Sequence, residues 1–134
     1  AVERATADEL IALDANIDAT EAVLDDPSAV AAYDSEFHVM LEKTARNRVL
    51  ELAREPSNML IYPTTHVAVQ GTEQGARRLV EAHRMLVQAL RLRDKEMARL
   101  WTRRHLNDWR KGFERTGNDL DQPVDLVTAP VAMS

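Results

Sequence analysis

An all-α fold, an antiparallel bundle of about six helices, is what this sequence predicts, on three observations. Apolar residues recur at helical spacing, as in Leu79, Val80, Leu86, Val87 and Leu90, and no stretch alternates as a strand would. Only 4% of residues are aromatic and glycine is scarce, while Ala, Leu, Arg and Glu, all good helix formers, abound. With 134 residues, 45% of them apolar, the chain suits one domain with a true hydrophobic core.

The elements follow from local chemistry. Thr6-Ala7-Asp8-Glu9 has the form of a capping box, in which Thr6 caps and Glu9 reaches back. The helix behind it carries Leu10, Leu13, Ile17 and Val23 or Leu24, and is expected to end near Asp25. Asp26-Pro27 restarts the chain, with aspartate as N-cap and proline in the first turn. A second helix over 27–45 follows, its stripe supplied by Val30, Tyr33, Phe37, Met40 and Leu41. Asn47 is placed to cap a third helix through Val49, Leu50, Leu52 and Ala53, which Pro56 breaks or kinks because it lacks an amide hydrogen. Met59 to Tyr62 read as a further helical segment before Pro63, and such an irregularity is where a cavity opens.

Gln70 to Gly75 is loop-like, with Thr72 able to cap the next helix, 73–93. That helix turns an apolar face inward and a basic face outward, the latter bearing Arg77, Arg78, Arg84, Arg91 and Arg93. Asp94 caps the last helix, 95–115, with Met97, Leu100, Trp101, His105, Trp109 and Phe113 expected inward, and Gly117 ends it. The domain thus spans 1–117, and 118–134, with Pro123 and Pro130, reads as an extended tail.

Composition also excludes. A net charge of −5 gives no electrostatic footprint for DNA, so any DNA contact belongs to another part of the polypeptide. No apolar run approaches the roughly 20 residues of a membrane span. The absence of cysteine rules out disulfides and thiolate metal sites and fits a cytoplasmic location. Ala1 to Ala5 reads like the end of a helix, which suggests a fragment of a longer chain.

The chemistry is concentrated in few residues. Asp34 and His38 stand one helical turn apart on an apolar face, between Tyr33, Phe37 and Leu41. His83 and His105 fall on the apolar stripes of two later helices. A lone histidine there is usually a hydrogen-bonded core residue. Three, with a carboxylate a turn from one of them, have the donor set of a divalent metal site built from facing helices. Zn and Ni suit it best, then Mn and Fe, and three nitrogens and one oxygen leave positions open on a six-coordinate ion. The residues by themselves leave two possibilities open, a metal site and histidines satisfied internally. His66 is a further contact or, better, a surface or loop residue.

The stretch YDSEFHVMLEKTARNRVL, residues 33–50, resembles the D-x-x-F-H-x-x-L…A-x-N-x-x-L signature of the FadR-type C-terminal (FCD) domain. EAHRMLVQALRLRDKEMARLWTRRHL, residues 81–106, resembles that family's second block. This domain is the effector-binding half of many GntR-superfamily bacterial transcription regulators, and the resemblance spans about residues 6–115. It implies an all-helical homodimer that binds a divalent metal through Asp34, His38, His83 and His105. It further implies a small carboxylate or sugar-acid effector, whose binding alters how an N-terminal winged helix-turn-helix domain, absent from this chain, sits on DNA. The resemblance also implies that only the end of the family's first helix, Ala1 to Ala5, is to be expected in this sequence.

Arginine suits the far side of such an effector, because its planar fork matches a carboxylate. Arg46, Arg48, Arg84 and Arg104 lie near the motifs in sequence, although solvated helix faces account for each more simply. Tyr62, Asn58, Thr65 and Asn107 are pocket polars that the sequence does not rank. Asp108 fits equally as a partner that fixes the His105 tautomer and as a surface charge. The rival function is a metal-dependent enzyme acting on a small carboxylate. Against it, no general base stands out and no His-Glu-x-x-His motif occurs. A third reading is a bundle that only dimerises.

Overall fold

The computed structural model describes residues 1–47, 49, 52, 65, 66, 69 and 73–115. Among these residues there are four helices and no strand: α1 (Ala7–Glu21), α2 (Pro27–Ala45), α3 (Glu73–Arg91) and α4 (Lys95–Arg115). The expected count of about six is therefore not met. Of the helix expected to start at Asn47, Asn47 Oδ1 accepts from Val49 N at 2.9 Å, and Val49 and Leu52 are helical; the rest of it, the segment 59–62, Thr72, Gly117 and the tail 118–134 lie outside the described residues.

The helix starts follow their caps. Thr6 Oγ1 accepts from Glu9 N at 3.2 Å while Glu9 Oε2 accepts from Thr6 N at 2.8 Å, a complete capping box. Asp26 Oδ1 accepts from Ala29 N and Asp94 Oδ1 from Met97 N, which caps α2 and α4. The α1 end falls at Glu21, four residues before Asp25. There Val23 N donates to Thr20 O and Asp26 N to Val23 O, so two tight turns take over from the helical pattern. Val23 and Leu24 are half-buried in these turns.

Both left-handed residues are arginines. Arg93, with φ 57°, closes α3 in a Schellman arrangement: Asp94 N donates to Ala89 O and Arg93 N to Leu90 O. Glycine is the usual residue there. Here the guanidinium offsets the strain by donating to Val2 O and Ala5 O, pinning the N-terminal segment to the α3–α4 corner. Arg46, with φ 49°, ends α2, and its side chain bonds Glu9 and the carbonyls of Arg4 and Thr44.

Cross-helix pairs set the directions. Glu9 meets Arg46 and Asn16 meets the Tyr33 carbonyl, so α1 and α2 are antiparallel. Asp14 pairs with Arg91, and Asp18 and Glu21 with Arg84, so α1 and α3 are antiparallel as well. Arg78 faces Asp108 while His83 faces His105, which makes α3 and α4 antiparallel. It follows that α2 and α3 run in the same sense, as the long connection from 46 to 72 permits. The antiparallel expectation holds for three helix pairs and not for this one.

The main core joins Leu10, Leu13, Ile17, Phe37, Val80, Leu86, Val87 and Leu90, with Trp101 packed against it. A second cluster holds Val30, Val69, Ala76 and Leu79. The α3 stripe is buried as the periodicity requires. On α4, His105 and Phe113 are buried, Met97, Trp101 and Trp109 are half-buried, and Leu100 is 45% exposed. Leu100 corrects the sequence reading: five residues before His105, at about 100° per residue, it points well away from the inward stripe.

Ile17 is fully buried in the main core, so Ile17→Ala is expected to lower stability by about 2–5 kcal/mol. Thr6→Ala, which opens the capping box, is expected to cost about 1 kcal/mol. Urea unfolding followed by circular dichroism measures both.

Candidate metal centre

Helix α2 presents Asp34 and His38 four residues apart, α3 contributes His83 and α4 contributes His105. Asp34 is 3% exposed, His83 1% and His105 9%, while the His38 side chain is 26% exposed. One ligand atom from each of the four lies within 4.8 Å of the other three. An ion bound at about 2.1 Å holds its donors about 3.4 Å apart in a tetrahedron and at most about 4.2 Å apart when trans. The widest separation in the cluster thus exceeds the trans spacing by about 0.6 Å and the tetrahedral spacing by about 1.4 Å.

The contacts inside the cluster have an unusual character. Asp34 Oδ1 is 3.3 Å from His38 Nε2 and 3.2 Å from His83 Nε2. Those are nearly hydrogen-bond lengths, yet Asp34 Oδ1 and His83 Nε2 are both buried without a hydrogen-bond partner. Buried polar atoms are nearly always satisfied, and leaving one bare costs about 1–3 kcal/mol. A ring nitrogen and a carboxylate oxygen at this separation share a proton when the imidazole carries one there, and suit a cation that takes a lone pair from both when it does not.

The surroundings hold the groups in place. Thr65 Oγ1 donates to the other carboxylate oxygen, Asp34 Oδ2, at 2.7 Å. The Phe37 ring stacks on His83 at 3.8 Å between centroids, 6° from parallel. His38 and His105 stack at 5.8 Å, and His83 meets both edge-on. Residue spacing had left Thr65 unranked among pocket polars and Phe37 a plain core residue. Their roles depend on contacts 31 and 46 residues away in sequence.

Electrostatics separates the four groups. Burial pushes the Asp34 carboxyl up, but the His38 charge and the approach of both histidines hold it well below the usual carboxylate range. For His38, burial works downward and is outweighed by the Asp34 carboxylate, which raises it. His83 is lowered by burial, against the pull of Asp34. His105 is pushed down to about 3 by burial and by repulsion from His83. Around neutral pH the cluster thus offers an ionised carboxylate and two imidazoles held neutral, as a metal requires, while His38, raised by that carboxylate, has to release its proton to a metal.

The remaining candidates are placed elsewhere. The Arg46 guanidinium is engaged with Glu9 at the far end of α2, eight residues and about 12 Å of helix beyond His38. Arg84 pairs with Asp18 and Glu21, Arg104 lies over the Trp101 ring, and Asn107 is exposed. Asp108 stands 3.9 Å from Arg78, as a surface charge would. His66 is half-buried, and Arg48, Asn58 and Tyr62 lie outside the described residues. A cavity of about 40 Å³ adjoins His105, with Thr65, Arg78, Asp108, Trp109 and Arg115 in its wall. A larger groove of about 760 Å³, between the N-terminal segment, the end of α2 and α4, includes none of the four clustered residues.

Fold and cluster together define an all-helical domain with a buried carboxylate–histidine centre of metal-ligand composition. The FCD domain family matches residues 1–108, and the chain belongs to it. FCD domains are the C-terminal effector-binding domains of GntR-family regulators, regulatory rather than enzymatic, and they bind small molecules in proteins that contact DNA through an N-terminal domain. Comparison with curated proteins and with solved structures returns no match. Among the described residues, no helix is long and apolar enough to cross a membrane.

The pKa shifts make metal-free stability depend on pH. His83 and His105 are depressed, so below about pH 6.5 the unfolded chain binds more protons than the fold. Their contribution is whole above that pH and drains as the pH falls toward their folded values. His38 is raised and acts oppositely, its contribution whole below about pH 6.5 and lost as the pH rises through its folded value. Asp34 is depressed, and its contribution is lost only below about pH 4. For His105, a folded value of about 3 amounts to about 2 kcal/mol lost by pH 5. Thermal melts in chelator are expected to show Tm falling from pH 7 to pH 5, and His105→Gln is expected to flatten that slope.

Proposed function

We propose that this domain senses a small carboxylate or sugar acid through a divalent metal held by Asp34, His38, His83 and His105. The observation that carries the reading is the pair of buried, unsatisfied atoms, Asp34 Oδ1 and His83 Nε2, within a four-group cluster drawn from three helices. One carboxylate and three imidazoles suit Zn or Ni first, then Mn or Fe. Bound there, the ion would supply a Lewis-acidic centre for an effector's carboxylate and an adjacent hydroxyl or keto oxygen.

The protein's own part is to hold the donors. Asp34 is fixed by Thr65, His83 by its stack on Phe37, and His105 by burial on α4. Because α2, α3 and α4 all reach the centre, an effector engaging it is tied to three helices at once. A change in their relative placement is then a direct route to the DNA-binding domain on the N-terminal side. In this reading the regulator is a cytoplasmic homodimer and touches DNA only through that domain.

Thermal melts with and without chelator, across divalent metals and a panel of organic and sugar acids, test the reading. A metal at a hundredfold excess over its Kd is expected to stabilise the fold by about 2.7 kcal/mol. His83→Ala and His105→Ala are each expected to abolish that gain, and acids are expected to raise Tm only when metal is present. A metal response that survives both substitutions would overturn the assignment. Turnover of a bound acid by the isolated domain would favour an enzyme instead.

A further inference from the structure

The cavity beside His105 does not end at the cluster. Its wall shares Gly75, Arg78 and Arg115 with a second cavity of about 260 Å³, which adds Gln74 and Lys111. Three cationic side chains line this outer cavity, and no carboxylate does so among the described residues. In a chain of net charge −5 this is a local reversal of sign. Lys111 and Arg115 stand four residues apart on α4, so two like charges share one face and face Arg78 of α3, an arrangement that an anion relieves. Asp108, 3.9 Å from Arg78, lines the inner cavity only.

The spacing relates the patch to the centre. Arg78 precedes His83 by five residues and Lys111 follows His105 by six, which is about 7.5 Å and 9 Å along the two helix axes. Arg78 and Arg115 also stand in the wall of the inner cavity that adjoins His105. Arginine forks and a lysine ammonium are the groups that capture carboxylate or phosphate oxygens.

We infer that Arg78, Lys111 and Arg115 form a second anion subsite, so that the effector carries two anionic groups: a chelating acid head at the cluster and a distal carboxylate or phosphate at the α3–α4 basic mouth. This rests on the effector reading above and narrows it from carboxylates in general to dianions.

Matched probes test it on the metal-loaded chain by calorimetry. 2-Hydroxyhexanoate is compared with 2-hydroxyadipate, and gluconate with 6-phosphogluconate; each pair keeps the 2-hydroxy-acid head and chain length and differs in the distal anion. The dianion is expected to bind at least tenfold more tightly in one pair, and the pair that shows it tells a distal carboxylate from a phosphate. The double variant Arg78→Gln/Arg115→Gln is expected to lose that preference while keeping its metal content and its affinity for the monoanion. Both side chains are exposed enough for melts to verify that the variant folds. Equal affinities within both pairs, or a preference unchanged in the variant, would overturn the subsite. Metal content, measured separately by elemental analysis, reports on the cluster. If no metal loads, that reading fails alone, and the subsite is judged by inorganic phosphate, which the unaltered chain should bind more tightly than the double variant.

Discussion

The buried carboxylate of Asp34 is the constraint on which the rest of the interior depends. Placed at 3% exposure, an ionised carboxylate is tolerable only among compensating partners. Thr65 satisfies one oxygen; the other lies 3.3 Å from His38 Nε2 and 3.2 Å from His83 Nε2. The two histidines and the aspartate are thereby defined by one another: the carboxylate raises His38 and pulls against the burial that lowers His83, and it keeps its own charge because of the rings. Removing one member of such a set leaves the others uncompensated, which costs more than the lost contact itself.

The apolar core makes this arrangement possible by fixing the helices that carry it. Helix α1 brings no group to the cluster, yet it packs against α2 and α3 and sets their separation. Its Leu13 and Ile17 are fully buried, and its acidic face pairs with Arg84 and Arg91 of α3. Exposed pairs of this kind add little stability, about 0–1 kcal/mol each, but they favour one register over others. Arg46 and Arg93 close the frame at the helix ends by accepting left-handed backbone and binding carbonyls of the N-terminal segment.

Charge is distributed by function. The whole chain is acidic, the centre is a carboxylate among imidazoles, and a cavity lined by three cations and no described carboxylate adjoins the one beside His105, between α3 and α4. Those two helices thus carry the outer cations and two of the four inner donors, His83 and His105. A ligand that engages both ends would resist sliding of α3 along α4, which gives effector binding a mechanical meaning for the domain as a regulator.

Much of this was legible in the amino-acid order because it is local. Caps at Thr6, Asp26 and Asp94 and the apolar stripes of α1, α2 and α3 depend on neighbours within a few residues, so periodicity and side-chain chemistry reveal them. The four clustered residues were legible as polar groups on apolar stripes, and the family signature joined them into a set. The tertiary structure alone decided what depends on distance in space. It showed that α2 and α3 run in the same sense, that Leu100 turns outward, and that α1 ends before the turn at 22–25. Asp34 and His38, four residues apart, announced a shared helix face; what that face meets was settled by His83, His105 and Thr65. Their convergence follows from how the core packs three helices together, and no local pattern encodes it.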